Sequence, residues 1–279
     1  MENKFKTQWD NLELKSHPPK YFKKVLEIPF DELKNNAMEQ NKTFVKKFTE
    51  NIWAGHCYII KNAFSKDWIE EVKIKVFEQW KNEPSTFNKM LEGCPNYHRV
   101  IGPDIATQYS VDAIKHSYYY FPWNRDPLNI LGEIYKKWEV IKIVEGLAHD
   151  EFTKNTPIDG PVDRIQFCLY PSGAGKLGVH SDPYHNQRFI ISVYMSKRGV
   201  DYQKGGFYLL NSKDKKIDVE DEIEIGDMAI AYATIKHGVD LVNPGDEVDW
   251  STRKGRWFLG LYTNDSDEKQ NRTTSTLYD

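Results

Sequence analysis

The 279-residue sequence predicts an α+β fold, with helices in the first half and short strands in the second. Before residue 160, apolar residues recur every three or four positions, which is the period of an amphipathic helix. Beyond Asp163 the period changes to two, in segments bounded by Gly, Pro, Asn or Asp. Short alternating strands of this kind favour a sandwich or a jelly roll.

The first half contains two clear helices and one strand. Residues 21–47 have a weak helical pattern that Pro29 interrupts, and the apolar run 57–60 favours a strand followed by a turn. Ser65 is a good N-cap for the next helix, whose apolar face is Trp68, Ile69, Val72, Val76 and Trp80. A second helix is predicted over 127–146.

The second half is predicted to contain five alternating strands, at 164–170, 189–195, 206–210, 228–232 and 256–262. No internal repeat or Pro/Gly-rich linker divides the chain, so we expect a single domain over 21–263. Its helical and substrate-facing part is 21–160, and its strand-rich core is 161–263. The polar ends, 1–20 and 264–279, are predicted to be flexible tails.

Composition excludes several classes of function. The chain has 38 Lys and Arg against 41 Asp and Glu, a net charge of −3, so we expect no nucleic-acid partner. No apolar run approaches the roughly 18–20 residues that span a bilayer, and the N-terminus lacks the apolar stretch of a secretory signal. Three cysteines without CxxC spacing complete the pattern expected of a cytoplasmic protein with no membrane partner. Nothing in the sequence indicates an oligomeric state.

A possible metal site is carried by His180, Asp182 and His237. An H-x-D pair at a strand end places an imidazole and a carboxylate on one side of the chain, where both can bind one metal ion. The alternative is that His180 and Asp182 belong to a surface turn. His237 follows the strand at 228–232, and an adjacent strand could bring it to the other two. Two histidines and one carboxylate, with coordination positions left open, are typical of mononuclear non-haem Fe(II) oxygenases.

Arg256 opens the last predicted strand, downstream of His237. An arginine that points into an apolar barrel needs an anionic partner, and its planar fork matches a carboxylate. The alternative is a solvated strand end.

These residues resemble those of the Fe(II)- and 2-oxoglutarate-dependent dioxygenase superfamily, in particular its prolyl-hydroxylase-like and phytanoyl-type branches. The resemblance covers 160–263 and extends back to about Gly55. It includes the Gly205-Gly206-Phe207 turn and the strand start at 225–229. It implies a double-stranded β-helix (jelly roll) core with N-terminal helices packed on one sheet.

The resemblance also implies roles for individual residues. His180, Asp182 and His237 would hold Fe(II), and Tyr170, ten residues before His180, would hydrogen-bond 2-oxoglutarate. Tyr194 and Arg256 would hold the distal carboxylate of this cosubstrate. The reaction would use O2 and release succinate and CO2.

The sequence departs from the family pattern in two places. A polar loop over 240–254 lengthens the gap between His237 and Arg256, so Arg253 is a rival for binding the cosubstrate carboxylate. His185 lies close to the H-x-D pair and is interpreted as a loop or substrate-facing residue.

Substrate recognition is predicted to come from the first half. Two stretches, 96–99 and 116–125, are rich in tyrosine, histidine and arginine, which suit a cleft for a polar small molecule. The alternative is that they form a buried strand and turn, with arginines in structural ion pairs or solvent. The candidate substrate-binding residues are Arg99, His116, Tyr118, Arg125 and His185.

The expected function is hydroxylation of a small polar metabolite, such as an amino acid, a sugar acid or a natural-product intermediate. A protein side-chain hydroxylase of the prolyl type is the alternative within the family. A catalytically silent metal-binding jelly-roll protein and a metal-dependent isomerase or hydrolase are the alternatives outside it.

Overall fold

The computed structural model describes residues 2–106 and 111–277. The helices in this part of the chain are α1 (Lys4–Glu13), α2 (Phe30–Glu39), α3 (Lys42–Trp53), α4 (Lys66–Trp80) and α5 (Leu131–Val144). None of them is both long enough and apolar enough to cross a bilayer. The strands are β1 (Val25–Pro29), β2 (Cys57–Lys61), β3 (Tyr97–Ile101), β4 (Ala113–Tyr120), β5 (Pro161–Pro171), β6 (Lys176–Ser181), β7 (Phe189–Tyr194), β8 (Gly206–Leu210), β9 (Lys216–Asp218), β10 (Met228–Tyr232), β11 (His237–Asp240), β12 (Gly255–Asp265) and β13 (Thr276–Leu277).

The strands form one curled sheet with two walls. The first wall has the order β1-β2-β10-β7-β12-β5-β4, and the second has the order β4-β6-β11-β8-β9. Strand β4 belongs to both, because its residues from His116 onward pair with β5 while Ala113 and Ile114 pair with β6. A sheet folded back on itself in this way is the predicted jelly roll, which is confirmed.

The helices cover the outer face of the first wall. In α1, Trp9 packs edge-on against Phe189 of β7, and in α4, Phe77 packs against Trp257 of β12. The predicted N-cap of α4 is confirmed, since the Ser65 hydroxyl accepts a hydrogen bond from the Trp68 amide. Helices packed on one sheet leave the space between the two walls free for a binding site.

Alternation along the strands decides which side chains enter that space. On β12, Trp257 lies on the outer face with the helices, whereas Arg256 and Phe258 line a cavity between the walls. Their neighbours on β5 follow the same rule, because Tyr170 pairs with Arg256 and also lines the cavity.

The prediction that residues 1–20 form a flexible tail is wrong for α1. The Asn3 side chain caps this helix by accepting a hydrogen bond from the Phe5 amide, and both Phe5 and Trp9 are fully buried. The two aromatic residues are four positions apart and therefore lie on one helical face. The adjoining prediction for 21–47 misses β1, which pairs in parallel with β2.

The prediction of a flexible tail over 264–279 is also wrong for 264–277, and positions 278 and 279 lie outside the described residues. Strand β12 continues to Asp265, whose buried carboxylate accepts hydrogen bonds from Asn186 and Lys269. Strand β13 pairs with β6. Polar side chains hold this segment to the rest of the protein through hydrogen bonds. The segment has no periodic apolar residues, so the sequence pattern does not reveal this packing.

We expect Trp9→Ala to lower the free energy of unfolding by about 3–5 kcal/mol, because it removes a buried indole from the core. The Val144 carbonyl also loses the 2.8 Å hydrogen bond that the indole N–H donates to it. Urea unfolding measures the difference. The control is Leu14→Ala, at a side chain that is 86% exposed, which should change stability by less than about 0.5 kcal/mol. Equal stability of the two variants would mean that α1 is not docked.

Candidate metal centre

His180, Asp182 and His237 are brought together by the pairing of β6 with β11. His180 lies directly opposite His237 in this antiparallel pair, and Asp182 follows the last residue of β6. One potential ligand atom from each residue lies within 4.8 Å of the others. The Asp182 carboxylate is 3.6 Å from His180 Nε2 and 3.8 Å from His237 Nε2.

Backbone carbonyls hold both imidazoles in the form that binds a metal. His180 Nδ1 is 2.9 Å from the Gly178 carbonyl oxygen, and His237 Nδ1 is 2.9 Å from the Ile235 carbonyl oxygen. A carbonyl only accepts, so each Nδ1 carries the proton and each Nε2 keeps its lone pair. Such bonds fix the orientation of metal-ligating histidines.

The charge states also suit a metal. Burial, together with the neighbouring His237, lowers the pKa of His180 to about 4, so this imidazole is neutral at pH 7. Burial alone would raise the pKa of Asp182, but the two histidines and the Ser275 hydroxyl bring it below its ordinary value. Neutral imidazoles and an ionised carboxylate are the forms that coordinate a metal ion.

The donor set fits Fe(II). Two imidazole nitrogens and one carboxylate, all on the cavity side of β6 and β11, would occupy three coordination positions and leave others open. The open positions distinguish this arrangement from a closed structural zinc site.

Ser275 is a site residue that the sequence analysis missed. Its hydroxyl donates a 2.7 Å hydrogen bond to Asp182 Oδ1, and it lies just before β13. No local pattern marks this contact, because it joins residues that are 93 positions apart.

Arg256 lies in the same cavity as the three metal-site residues. It is only 2% exposed, and its Nε and Nη2 each lie 2.6 Å from Glu220 Oε1. The rings of Tyr170, Tyr194 and Phe258 surround the guanidinium, with centroids 5.5–5.7 Å from Cζ. The predicted cosubstrate residues are therefore neighbours.

Glu220, which the sequence analysis also missed, compensates the buried charge of Arg256. It is itself buried and accepts a second hydrogen bond, 2.8 Å long, from the Phe207 amide. Gly206 makes room for it, since a Cβ there would lie 2.8 Å from the Glu220 carboxyl carbon. Glu220 takes the Nε/Nη2 edge of the guanidinium, and the Nη1 end remains for a second carboxylate.

The hydroxyls of Tyr170 and Tyr194 are buried and have no hydrogen-bond partner among the residues that the structure describes. An unsatisfied buried hydroxyl costs about 1–3 kcal/mol. Tyr170 lines the cavity with Arg256, whereas Tyr194 contacts the guanidinium but is not part of the cavity lining. A carboxylate bound beside Arg256 would supply an acceptor on the Tyr170 side, which fits the distal end of 2-oxoglutarate.

Arg253, the rival of Arg256, is exposed in the loop before β12. Its backbone carbonyl accepts a hydrogen bond from the Trp257 indole, and its side chain does not line the cavity. Of the two arginines, the structure brings only Arg256 to the metal centre.

Of the five predicted substrate-binding residues, Arg99 alone lines the cavity. Arg125 is exposed in the turn after β4. His185 is held outside the cavity by Asp265, at 3.1 Å, and by the Thr273 hydroxyl.

His116 and Tyr118 lie on the outer face of β4, away from the cavity. The Tyr118 hydroxyl donates to His116 Nδ1 at 3.0 Å, and His116 Nε2 donates to His98 Nδ1 at 2.7 Å. His98 Nε2 then donates to the Glu83 carbonyl, so every proton has one acceptor. Burial lowers the pKa of His116 to about 3, in agreement with a neutral structural chain.

The inner faces of β4, β5 and β12 supply the cavity residues that the sequence analysis missed. They are Lys115, Tyr119, Arg164, Gln166 and Tyr262. Side chains an even number of positions apart on a strand lie on the same face. Arg164 and Gln166 are related to Tyr170 in this way, and Tyr262 to Arg256, so the sequence could have identified these three.

The fold is similar to that of the full-length T7H of Neurospora crassa. Its complex with alpha-KG and thymine matches with a TM-score of 0.50 at 12% identity, over 88% of this chain and 86% of that chain. The T7H complex with alpha-KG and 5-formyluracil gives a TM-score of 0.50 at 13% identity, with coverages of 88% and 86%. This chain has the fold of T7H.

A Pseudomonas putida prolyl-4-hydroxylase also matches, over 74% of this chain and 91% of that chain, with 12% identity and a TM-score of 0.44. No protein-family model matches the sequence, and no curated protein matches it significantly. Similarity to T7H at this level of identity establishes the jelly-roll fold that the family resemblance implies.

We expect Ser275→Ala to weaken metal binding by about 10- to 100-fold, because the hydroxyl orients the Asp182 carboxylate. Titration of the apoprotein with Mn(II), followed by electron paramagnetic resonance, measures the affinity. Thr274→Ala is the matched control in the same segment, at an exposed side chain. An unchanged affinity in Ser275→Ala would show that the C-terminal segment does not support the metal centre.

Proposed function

We propose that this protein is an Fe(II)- and 2-oxoglutarate-dependent oxygenase that hydroxylates a small polar molecule. The proposal is carried by one observation. A His-Asp-His donor set shares a cavity with the buried Arg256, and the two tyrosine rings that contact this guanidinium carry buried hydroxyls without hydrogen-bond partners among the described residues.

In this proposal His180, Asp182 and His237 hold the metal, and Arg256, Tyr170 and Tyr194 receive the distal carboxylate of 2-oxoglutarate. When bound, Fe(II) and 2-oxoglutarate supply oxidation by O2, with release of succinate and CO2. The T7H complexes contain alpha-KG in the same fold, which supports the choice of cosubstrate.

The protein contributes positioning and exclusion of water. The carbonyls of Gly178 and Ile235 keep the two imidazoles oriented, and the Glu220 carboxylate keeps the Arg256 guanidinium in place. Apolar side chains such as Leu177, Phe207 and Phe258 line the cavity between these groups. A preorganised site with apolar walls between its polar groups orients the reactants and strengthens the electrostatic interactions within it.

The cavity, about 220 Å³ and lined by several charged side chains, has room for a small polar substrate. An amino acid, a sugar acid or a natural-product intermediate has suitable dimensions.

The deciding experiment is an anaerobic titration of the apoprotein with Fe(II) and then 2-oxoglutarate. We expect a weak visible metal-to-ligand charge-transfer band that needs both components and is lost in His237→Ala and Asp182→Ala. Bound metal without a band would contradict the proposal and favour a metal-dependent isomerase or a silent binding protein.

We expect Arg256→Ala to raise the 2-oxoglutarate concentration for half-maximal band intensity by about tenfold or more, because a charge-assisted hydrogen bond is lost. Arg256→Lys keeps a charge opposite Glu220 but loses the fork, and it should give a smaller increase. Arg253→Ala is the control and should behave as the wild type. The opposite result, with an effect in Arg253→Ala alone, would move the carboxylate site to Arg253.

A further inference from the structure

The cavity contains more positive than negative charge. Among the described residues, its lining includes four cationic side chains and one carboxylate, that of Asp182; the cations are Arg99, Lys115, Arg164 and Arg256. Arg256 is neutralised by Glu220, and Asp182 belongs to the metal centre. Of the remaining cations, Arg164 and Lys115 have no carboxylate partner in the cavity lining that the structure describes.

Arg164 is the best defined of these cations. It lies on the inner face of β5, opposite Tyr262 of β12, and its Cζ is 4.9 Å from the Tyr262 ring centroid. It is also 5.6 Å from the ring centroid of Tyr119. Two aromatic rings from neighbouring strands thus hold the guanidinium at the cavity wall.

The hydrogen-bonding capacity of Arg164 is unused. Its Nε is buried and has no hydrogen-bond partner among the described residues, and none of their carboxylates lies within the 4.0 Å of an ion pair. The stacked rings accept no hydrogen bond in the plane of the guanidinium. An unpaired charged donor is costly in a partly buried site, whereas an anionic oxygen would satisfy both its charge and its hydrogen bonds.

Two further cations line the same cavity, and one of them, Arg99, shares the Tyr119 ring with Arg164. The Arg99 Cζ is 5.6 Å from the same Tyr119 ring, and the Thr86 and Asn88 carbonyls hold its guanidinium through hydrogen bonds. Lys115 is four residues before Tyr119 on β4 and also lines the cavity. All three cations add positive potential to the cavity, and this potential favours a bound anion.

We propose that Arg164 binds an anionic group of the substrate, a carboxylate or a phosphate, with Lys115 and Arg99 adding positive charge. The primary substrate is then a small acid that binds at Arg164, whereas the cosubstrate 2-oxoglutarate binds at Arg256. This inference rests on the proposed function and names the substrate class for the same cavity.

The test uses Mn(II) at the metal centre of the full chain as a paramagnetic probe. Inorganic phosphate, followed by phosphorus NMR, and carboxyl-labelled acetate, followed by carbon NMR, are titrated in the presence of saturating 2-oxoglutarate. We expect saturable relaxation enhancement of at least one anion, and the comparison of the two separates phosphate from carboxylate recognition.

Arg164→Gln should weaken anion binding by about 10- to 100-fold, since charge-assisted hydrogen bonds are lost. Arg164→Lys keeps the charge and should retain part of the affinity. Arg125→Gln, at an exposed arginine on the surface, should bind as the wild type.

Unchanged anion binding in Arg164→Gln would overturn the inference, and so would the absence of saturable enhancement with both anions in the wild type. Binding of 2-oxoglutarate is measured separately, by its own carbon signals in the same Mn(II)-loaded protein. Failure of that binding counts against the proposed function, and loss of the anion signal alone counts against the role of Arg164.

Discussion

The antiparallel pairing of β6 with β11 is the constraint on which the metal centre depends. It places His180 opposite His237, and the carbonyls of Gly178 and Ile235 then orient both rings. Asp182 enters the same space because it lies two positions after His180. A shift of one residue in this register would turn one imidazole toward the other face of the sheet and destroy the donor set.

The same alternation organises the rest of the cavity. Strands β5 and β12 pair along their full lengths, so Tyr170 meets Arg256 and Arg164 meets Tyr262. The outer residues of these strands, such as Trp257, pack under the helices. One set of strands thereby supplies a dry hydrophobic core on one face and the polar groups of a binding site on the other.

Two pairs of opposite charges are buried in the protein. Lys142 and Asp163 are fully buried and lie 2.5 Å apart, and Arg256 and Glu220 are 2.6 Å apart. Pairing is needed because a lone charge in a low-dielectric interior carries a large desolvation penalty. Arg164 differs from these pairs, because it packs against two tyrosine rings and has no carboxylate partner among the described residues. It lies at the wall of the cavity.

The sequence by itself determined the change from helices to short strands, and it identified His180, Asp182, His237 and Arg256 as the candidate site residues. The elements follow from local periodicity, and the site residues follow from short motifs together with the roles that the family resemblance implies. The tertiary structure alone decided that Ser275 reaches Asp182, that Glu220 lies behind Arg256, and that His116 faces away from the cavity. Such contacts depend on strand register and on residues far apart in the chain, and no local pattern encodes either one.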